Sequence, residues 1–287
     1  MTGHRIKLKL ENLQKTGSFK PRGAINNMMR LDATQRAAGV ITISAGNHAQ
    51  GVAYAASLLG VSAVVVMPAA ASSSKAQAAR DYGAEVILHG DMPAAFEKLE
   101  QLRRERGLAF IHPFDDDATI AGQGTLGLEL LEDVPDLDTV VVGIGGGGLI
   151  SGVAVAVKSV KPSARVVGVE PVGAAAMHRS LESGSPARLE RTDTIADGLA
   201  APFAGQRNFD IVKRHVDDLV LVQDAEIRGA MRLLLERCKV LAEPAGAAAL
   251  AAVLAGKVTA TGGGSTVVVV SGGNVSLEML ADCLKGS

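Results

Sequence analysis

Lys20 lies in the segment TGSFKPRG, residues 16–23, among small and turn-forming residues and directly before Pro21. Pro21 suits the first turn of a helix and Ser18 could cap that helix, which would put Lys20 at its positive end and partly out of solvent. Both effects disfavour the ammonium form. A lysine held in this way can act as a nucleophile and a base, and it can form a Schiff base with a carbonyl. The alternative is an ordinary lysine that extends from a loop into solvent.

A second polar cluster follows in the segment VITISAGNHAQG, residues 40–51. A strand should end near Ser44, Gly46 would let the backbone approach a ligand, and a helix should begin near Asn47. The N–H groups at such a helix start have no intrahelical acceptors and can bind a carboxylate or a phosphate. Asn47 and His48 add side-chain donors, although His48 could equally be a helix-capping residue.

Four consecutive glycines, Gly145–Gly148, stand in the segment VVVGIGGGGLISG between a predicted strand and a predicted helix. Their N–H groups can form a concave nest around a phosphate. The same run fits the pattern G-x-G-x-x-G from Gly143 onward, and Glu170 ends the next strand, where a ribose-binding acid would stand. A dinucleotide-binding (NAD) oxidoreductase is therefore an alternative, although it leaves Lys20 unexplained.

The segment STVVVVSGGN, residues 265–274, places Ser271 at the end of an apolar strand. A hydroxyl at this place can hydrogen-bond a ring nitrogen without giving it a full proton. Glu243 precedes Pro244 at another predicted helix start, where it could lie near a ligand or simply interact with the helix dipole.

Short runs rich in β-branched residues predict the strands that carry these segments. Stretches of helical length separate most of them, including residues 47–60, 72–83 and 225–238, and several runs are continuously apolar, as strands covered on both faces are. The pattern predicts an α/β protein with a largely parallel sheet, in which ligands bind where strands end and helices begin. The runs are RIKLKL, VITIS, SAVVVMP, AEVILHG, AFIHP, TVVVGI, ARVVGVEP, LVLVQ and STVVVVSGG.

Composition excludes several classes of protein. The chain has 287 residues and a formal net charge of −1, which gives no electrostatic reason to bind nucleic acid or an anionic membrane. The apolar stretch 139–157 is nearly long enough to span a bilayer, but its glycines favour a strand, a turn and a helix. Two distant cysteines, Cys238 and Cys283, argue against a disulfide framework, and the N-terminus has no signal core. We therefore expect a cytoplasmic protein.

Taken together and in this order, the segments resemble those of the serine/threonine dehydratase group of fold-type II pyridoxal-phosphate enzymes. The resemblance runs from about residue 7 to residue 275 and so covers nearly the whole chain. It implies two α/β domains with largely parallel sheets, similar to the tryptophan synthase β fold, and pyridoxal 5′-phosphate as the cofactor. The matching segments are KLENLQKTGSFKPRGA, SAGNHAQGVAYAA, HPFDDDATIAGQGT, VGIGGGGLISG, TIADGL and SGGN.

The resemblance also implies roles for individual residues. Lys20 would carry the cofactor as a Schiff base and then take the substrate Cα proton. Asn47 would hydrogen-bond the phenolic oxygen of the cofactor ring, and Ser271 its pyridine nitrogen. The other implied cofactor-binding residues are Phe19, Gly145, Gly146, Gly147, Gly148, Leu149, Gly198 and Glu243. The substrate carboxylate would be bound by the backbone of Ser44, Ala45, Gly46, Asn47 and His48.

The implied reaction is α,β-elimination of water from L-threonine or L-serine, which gives a 2-oxo acid and ammonia. A hydroxyl at Ser271 would leave the pyridine nitrogen largely neutral, which favours prompt loss of a β-hydroxyl over transamination. Serine racemase, built on the same plan, needs a second base at the position of Ala45, and alanine has no proton to give. Another β-hydroxy amino acid, such as 3-hydroxyaspartate or phenylserine, stays open as the substrate.

Racemase-like relatives bind a divalent cation at positions that match Glu170, Ala174 and Ala176. Because Ala176 removes one charged ligand, the resemblance predicts no strong metal site of that kind. The six histidines are scattered and predict no zinc site.

The resemblance implies a large cofactor-binding domain, residues 1–38 and 116–287, and a small mobile domain, residues 39–115, that closes over the substrate. It also implies a homodimer or a homotetramer. The chain begins almost at KLENLQ and ends soon after SGGN, so we expect neither the N-terminal segment usual in this family nor the regulatory domain of biosynthetic threonine dehydratases.

Overall fold

The computed structural model describes residues 5–259 and 263–285. Every predicted β-branched run forms a strand, and the stretches between them form helices. The strands are β1 (Ile6–Leu10), β2 (Val40–Ile43), β3 (Ala63–Met67), β4 (Glu85–Leu88), β5 (Ala109–Phe110), β6 (Leu137–Gly143), β7 (Arg165–Pro171), β8 (Asp218–Val222) and β9 (Ser265–Val270). The helices are α1 (Lys20–Met29), α2 (Ala33–Ala38), α3 (Asn47–Leu59), α4 (Ser73–Asp81), α5 (Met92–Arg106), α6 (Asp117–Asp133), α7 (Gly148–Val160), α8 (Ala176–Ser183), α9 (Gln206–His215), α10 (Asp224–Leu233), α11 (Pro244–Leu254) and α12 (Leu277–Leu284).

The chain packs as two compact units. The larger unit consists of Met1–Phe19 and Gln123–Ser287, and the smaller unit is Lys20–Gly122. The resemblance implies domain boundaries at residues 38/39 and 115/116, which would put α1 and α2 in the large domain. The movement of a small domain stays a prediction.

The larger unit contains a five-stranded sheet in the order β1-β9-β6-β7-β8, and all of its strand pairs are parallel. Successive side chains of each strand point to opposite faces. Val141 and Val268 pack into a core with α10 and α11, whereas Val140 and Val267 pack into a second core with α6, α7 and α9. Because both faces are covered, the strands are apolar at consecutive positions, as the sequence pattern predicts.

The smaller unit contains a four-stranded parallel sheet in the order β4-β3-β2-β5. Helices α1, α3 and α4 cover one face, which includes Val40 and Val65. Helix α5 covers the other face, where Leu99 packs near Ile41 and Val64. The strands of each sheet run in one direction, so within each unit their carboxyl ends share one edge, where the predicted site segments begin.

Two elements differ from the sequence pattern. The run AFIHP forms a strand of only two residues, and the helix predicted over residues 225–238 changes at Leu234 from α-helix to a π-helix, Leu234–Cys238. The apolar stretch 139–157 forms a strand, a glycine turn and a helix, as predicted. No helix within the part of the chain that the structure describes is long and apolar enough to cross a membrane.

Candidate active site

Lys20 is the first residue of α1 and is half-buried. Pro21 follows in the first helical turn, as predicted, where its missing N–H removes no helical hydrogen bond. Lys20 Nζ donates a hydrogen bond to the Pro113 carbonyl oxygen at 3.0 Å. Helix α3 packs closely against the start of α1. A Cβ atom built on Gly51 would lie only 2.9 Å from Lys20 Cβ. The side chain of Lys20 is therefore held, rather than extended freely into solvent.

The backbone before Lys20 is fixed by the end of β9. Phe19 N–H donates to the Ser271 carbonyl at 3.1 Å, and Ser18 forms an isolated antiparallel bridge with Gly272. Ser18 Oγ is buried and, among the described residues, has no hydrogen-bond partner. The prediction that Ser18 caps a helix is therefore wrong, because its extended backbone pairs with a distant segment instead.

Two buried side chains donate to one carbonyl in the smaller unit. Thr42 Oγ1 donates to the Ile111 oxygen at 2.9 Å, and His48 Nε2 lies 3.1 Å from the same oxygen. A carbonyl only accepts, so Nε2 must carry the ring hydrogen. Burial, and then the charge of Lys20, lower the pKa of His48 to about 3. His48 is therefore a neutral ring at physiological pH.

The predicted substrate-binding loop, Ser44–His48, connects β2 to α3 as the sequence indicates. Gly46 N–H donates to Ser44 Oγ at 3.2 Å, and no side chain caps α3. The amides at the start of α3 lie at the positive end of its dipole, and in this turn Ala49 N–H donates to the Gly46 carbonyl oxygen at 3.1 Å. Ala45 is half-buried and contributes no ionisable group.

The glycine run Gly145–Gly148 connects β6 to α7, as predicted. Gly147 has a φ of +99°, and a Cβ atom there would lie 2.7 Å from Asn208 Cβ, so only glycine fits without strain. A Cβ atom on Gly145 would lie 3.2 Å from the Gly198 carbonyl oxygen. Leu149 is buried in the core and anchors the start of α7. The absence of side chains leaves the amides at the start of α7 open to an anion.

The remaining predicted cofactor residues of the larger unit are neighbours. A Cβ atom on Gly198 would lie 2.9 Å from Ala245 Cβ and 3.7 Å from Glu243 Oε1. Ser271 Oγ donates a long hydrogen bond, 3.5 Å, to the Ala245 carbonyl, and Phe19 packs against the core that includes Leu149. The structure thus brings together residues that lie far apart in the sequence.

Glu170 is fully buried and caps α8. Its carboxylate accepts from the amides of Met177 at 2.9 Å and His178 at 2.8 Å. Burial raises the pKa of Glu170 to about 7, although the hydrogen bonds from the helix amides act in the opposite direction. This carboxylate is engaged within the protein and cannot bind a ribose, so the dinucleotide-binding alternative loses its acidic residue. Over the described residues, no group of three or more His, Cys, Asp or Glu side chains is arranged to hold a metal ion.

Sequence reasoning missed four residues that shape these sites: Thr42, Gly51, Pro113 and Asn208. Pro113 acts through its carbonyl and Gly51 through its lack of a side chain, so neither shows a chemical signature in the sequence. Thr42 is a polar residue inside an apolar strand, VITI, and that break in the pattern was the available signal.

A family model described as pyridoxal-phosphate dependent enzyme matches residues 1–273. The chain belongs to this family. Its relatives include the L-threonine ammonia-lyase of Thermotoga maritima, which is 48% identical over 281 residues covering 98% of this chain and 70% of the relative. They also include the phenylserine dehydratase of Ralstonia pickettii, which is 47% identical over 97% of this chain and 86% of the relative.

Solved structures show the same architecture. Maize serine racemase superposes with a TM-score of 0.94 at 42% identity, covering 98% of this chain and 87% of that one. The processed form of threonine deaminase isoform 2 from Solanum lycopersicum superposes with a TM-score of 0.93 at 37% identity, covering 98% of this chain and 78% of that one. The predicted fold-type II architecture is thereby confirmed.

Within each unit, the groups present are of the chemical types that pyridoxal phosphate requires. Lys20 offers a primary amine for the aldehyde, and the amides at the start of α7, with the helix dipole, suit a phosphate dianion. Gly147 leaves space where a Cβ atom would strain the loop. Ser271 presents a hydroxyl at a strand end, where it can hydrogen-bond a ring nitrogen.

Proposed function

We propose that this chain catalyses the pyridoxal-phosphate dependent dehydration of L-threonine or L-serine to a 2-oxo acid and ammonia. The observation that carries the proposal is the combination of Lys20 with Ala45. Elimination needs one base at the substrate Cα, and Lys20 supplies an amine. Racemisation needs a second proton donor on the opposite face, and Ala45 has none. The 48% identity to an L-threonine ammonia-lyase supports the same reaction.

The proposal gives each cofactor group its own residues. Lys20 would bind the aldehyde, the run Gly145–Gly148 with the Leu149 amide would bind the phosphate, and Asn47 and Ser271 would hydrogen-bond the ring. Phe19 and Gly198 would lie near the cofactor ring, and Glu243 would lie close to the cofactor.

The chain's own residues would do the following in the reaction. Pyridoxal phosphate, when bound, supplies an electron-withdrawing ring that acidifies the substrate Cα–H. The amides of Ser44–His48 orient the substrate through its carboxylate. Lys20 takes the Cα proton at Nζ, and the Pro113 carbonyl accepts a hydrogen bond from that amine. The β-hydroxyl is lost as water, and hydrolysis of the product releases ammonia.

We also propose that the enzyme is a cytoplasmic homodimer or homotetramer that acts on small β-hydroxy amino acids. The phenylserine dehydratase among its relatives keeps larger side chains open as substrates. A substrate series at fixed concentration tests the substrate class, and light scattering tests the assembly state.

The deciding experiment measures 2-oxo acid formation from L-threonine after addition of pyridoxal phosphate. We expect product from the wild type and none from Lys20→Ala, which should also lack the visible absorption of the lysine-linked cofactor. A normal absorption band with no product from L-threonine or L-serine would refute the proposed reaction while keeping Lys20 as the attachment point.

Serine racemase is the second candidate, since its maize representative superposes with a TM-score of 0.94. Chiral analysis of serine recovered from the reaction separates the two activities. We expect no D-serine from the wild type, and measurable D-serine from Ala45→Ser if that position faces the substrate Cα. D-serine from the wild type would show that another residue supplies the second proton.

A further inference from the structure

We propose that Thr42 and His48 are positioning residues for the Lys20 amine, because they fix the segment whose Pro113 carbonyl accepts from Lys20 Nζ. We call the three residues Thr42, His48 and Ile111 the Ile111 clamp. The inference rests on the proposed function, since it takes Lys20 as the reacting lysine, and it adds the groups that aim this lysine.

The clamp uses both lone pairs of the Ile111 carbonyl. Thr42 Oγ1 donates at 2.9 Å and His48 Nε2 at 3.1 Å, and the side chains are 0% and 3% exposed. Ile111 N–H donates in turn to the Ile41 carbonyl at 3.0 Å. The Ile111 peptide is therefore bonded on both sides, two residues before Pro113. The pairing of β5 with β2 does not by itself require two buried side-chain donors on this carbonyl.

The other end of the segment is fixed by Asp116. Its Oδ1 accepts from Asn27 Nδ2 at 2.7 Å and from Thr119 N–H at 3.0 Å, so it joins α1 to the first turn of α6. His112 Nδ1 accepts from Asp115 N–H at 2.8 Å and closes the turn between the two ends. Since the ring of Pro113 also restricts its own backbone, the direction of its carbonyl is set from both sides.

The Pro113 carbonyl determines how the amine of Lys20 is oriented. A lysine side chain has four flexible methylenes, so its Nζ needs a fixed partner to point in one direction. The carbonyl can only accept, so it binds one N–H at 3.0 Å and leaves the lone pair of a neutral amine directed elsewhere. The same acceptor stabilises the ammonium after Lys20 has taken a proton.

His48 suits this place because its ring is uncharged. With Nε2 as the donor, Nδ1 is a bare acceptor, and it is buried without a hydrogen-bond partner among the described residues. Lys20 and His112 both oppose a positive charge on the ring. The clamp therefore holds the segment without adding a cation beside the reacting amine.

The test measures how fast Lys20 attaches to added pyridoxal phosphate in the cofactor-free full chain, followed by visible absorption. Thr42→Val keeps the shape of the side chain and removes its donor, and we expect attachment at least tenfold slower because the amine is misaligned. Thr42→Ser retains the donor and should restore most of the rate. His48→Leu and His48→Gln form a second pair with the same contrast.

Two controls separate positioning from support of the fold. Binding of 4′-deoxypyridoxine phosphate, which has no aldehyde, should keep the wild-type affinity in Thr42→Val. Thr139→Val removes a fully buried hydroxyl from β6, outside the clamp, and should attach the cofactor at the wild-type rate.

Each other outcome overturns a different statement. Wild-type attachment rates in Thr42→Val and His48→Leu would refute the clamp. Parallel losses of attachment rate and analogue affinity would make both residues supports of the fold and not positioning residues. Retention of the absorption band in Lys20→Ala would instead refute the proposed function.

Discussion

The neutral state of His48 should make the stability of the cofactor-free chain depend on pH. Burial, and then the charge of Lys20, hold the pKa of His48 at about 3 in the folded chain, against 6.5 for an unperturbed histidine. Because the folded value is the lower one, the unfolded chain binds a proton between these values and the folded chain does not. The contribution of the neutral His48 ring to the free energy of unfolding is therefore complete above pH 6.5 and is lost as the pH falls toward 3.

The magnitude follows from the linkage between proton binding and unfolding. At pH 7 the unfolded imidazole is mostly neutral, and at pH 5 it is almost fully protonated. One pKa unit corresponds to about 1.4 kcal/mol, so the free energy of unfolding should fall by about 2 kcal/mol between these pH values through His48 alone. Any folded pKa below about 4 gives the same loss over this window, because the folded ring then stays neutral throughout.

The assay compares urea unfolding of the wild type and His48→Gln at pH 7, 6 and 5. Glutamine does not titrate, and other ionisable groups cancel in the difference between the two proteins, so the wild type should lose about 2 kcal/mol relative to the variant. A constant difference between the wild type and His48→Gln would show that the ring of His48 is already charged, or can reach solvent, in the folded chain.

Three further substitutions test other parts of the site. Gly147→Ala should weaken pyridoxal phosphate binding at least tenfold in an absorption titration, because φ is +99° and the new Cβ would lie 2.7 Å from Asn208 Cβ. Gly51→Ala would place its Cβ 2.9 Å from Lys20 Cβ, so the melting temperature should fall by several degrees. Burial raises the pKa of Glu170 from 4.5 to about 7. Its contribution to the free energy of unfolding is therefore present below pH 4.5 and is lost as the pH rises through 7. In urea unfolding, Glu170→Gln should abolish this pH-dependent loss of stability.

The strand pattern was predictable because burial on both faces has a local signature. Runs such as VVVV in β9 are apolar at every position, and the structure confirms that each face of that strand meets a different core. The glycine run and Ser271 were predictable for the same reason, since each directly follows such a strand. A strand end fixes the place of the next residue without reference to the rest of the molecule.

Features that depend on distant partners could not be predicted from the sequence. Ser18 has the residue type of a helix cap, but pairing with Gly272 gives it an extended backbone. Glu170 has the place of a ribose-binding acid, but the amides of α8 occupy its carboxylate. The Ile111 clamp joins β2, α3 and the end of β5, and no short segment of sequence contains all three.

The pairing of residues 17–19 with 271–273 has a consequence for biosynthesis. Phe19 N–H binds the Ser271 carbonyl, and Gly273 N–H binds the Gly17 carbonyl at 2.9 Å. These partners are separated by about 250 residues, which at the usual speed of translation, roughly 5–20 residues per second, means a delay on the order of tens of seconds. A nascent chain still on the ribosome thus exposes the lysine segment long before its partner exists. If Lys20 and Ser271 bind the cofactor as proposed, pyridoxal phosphate should load only after the segment around Ser271 has been made.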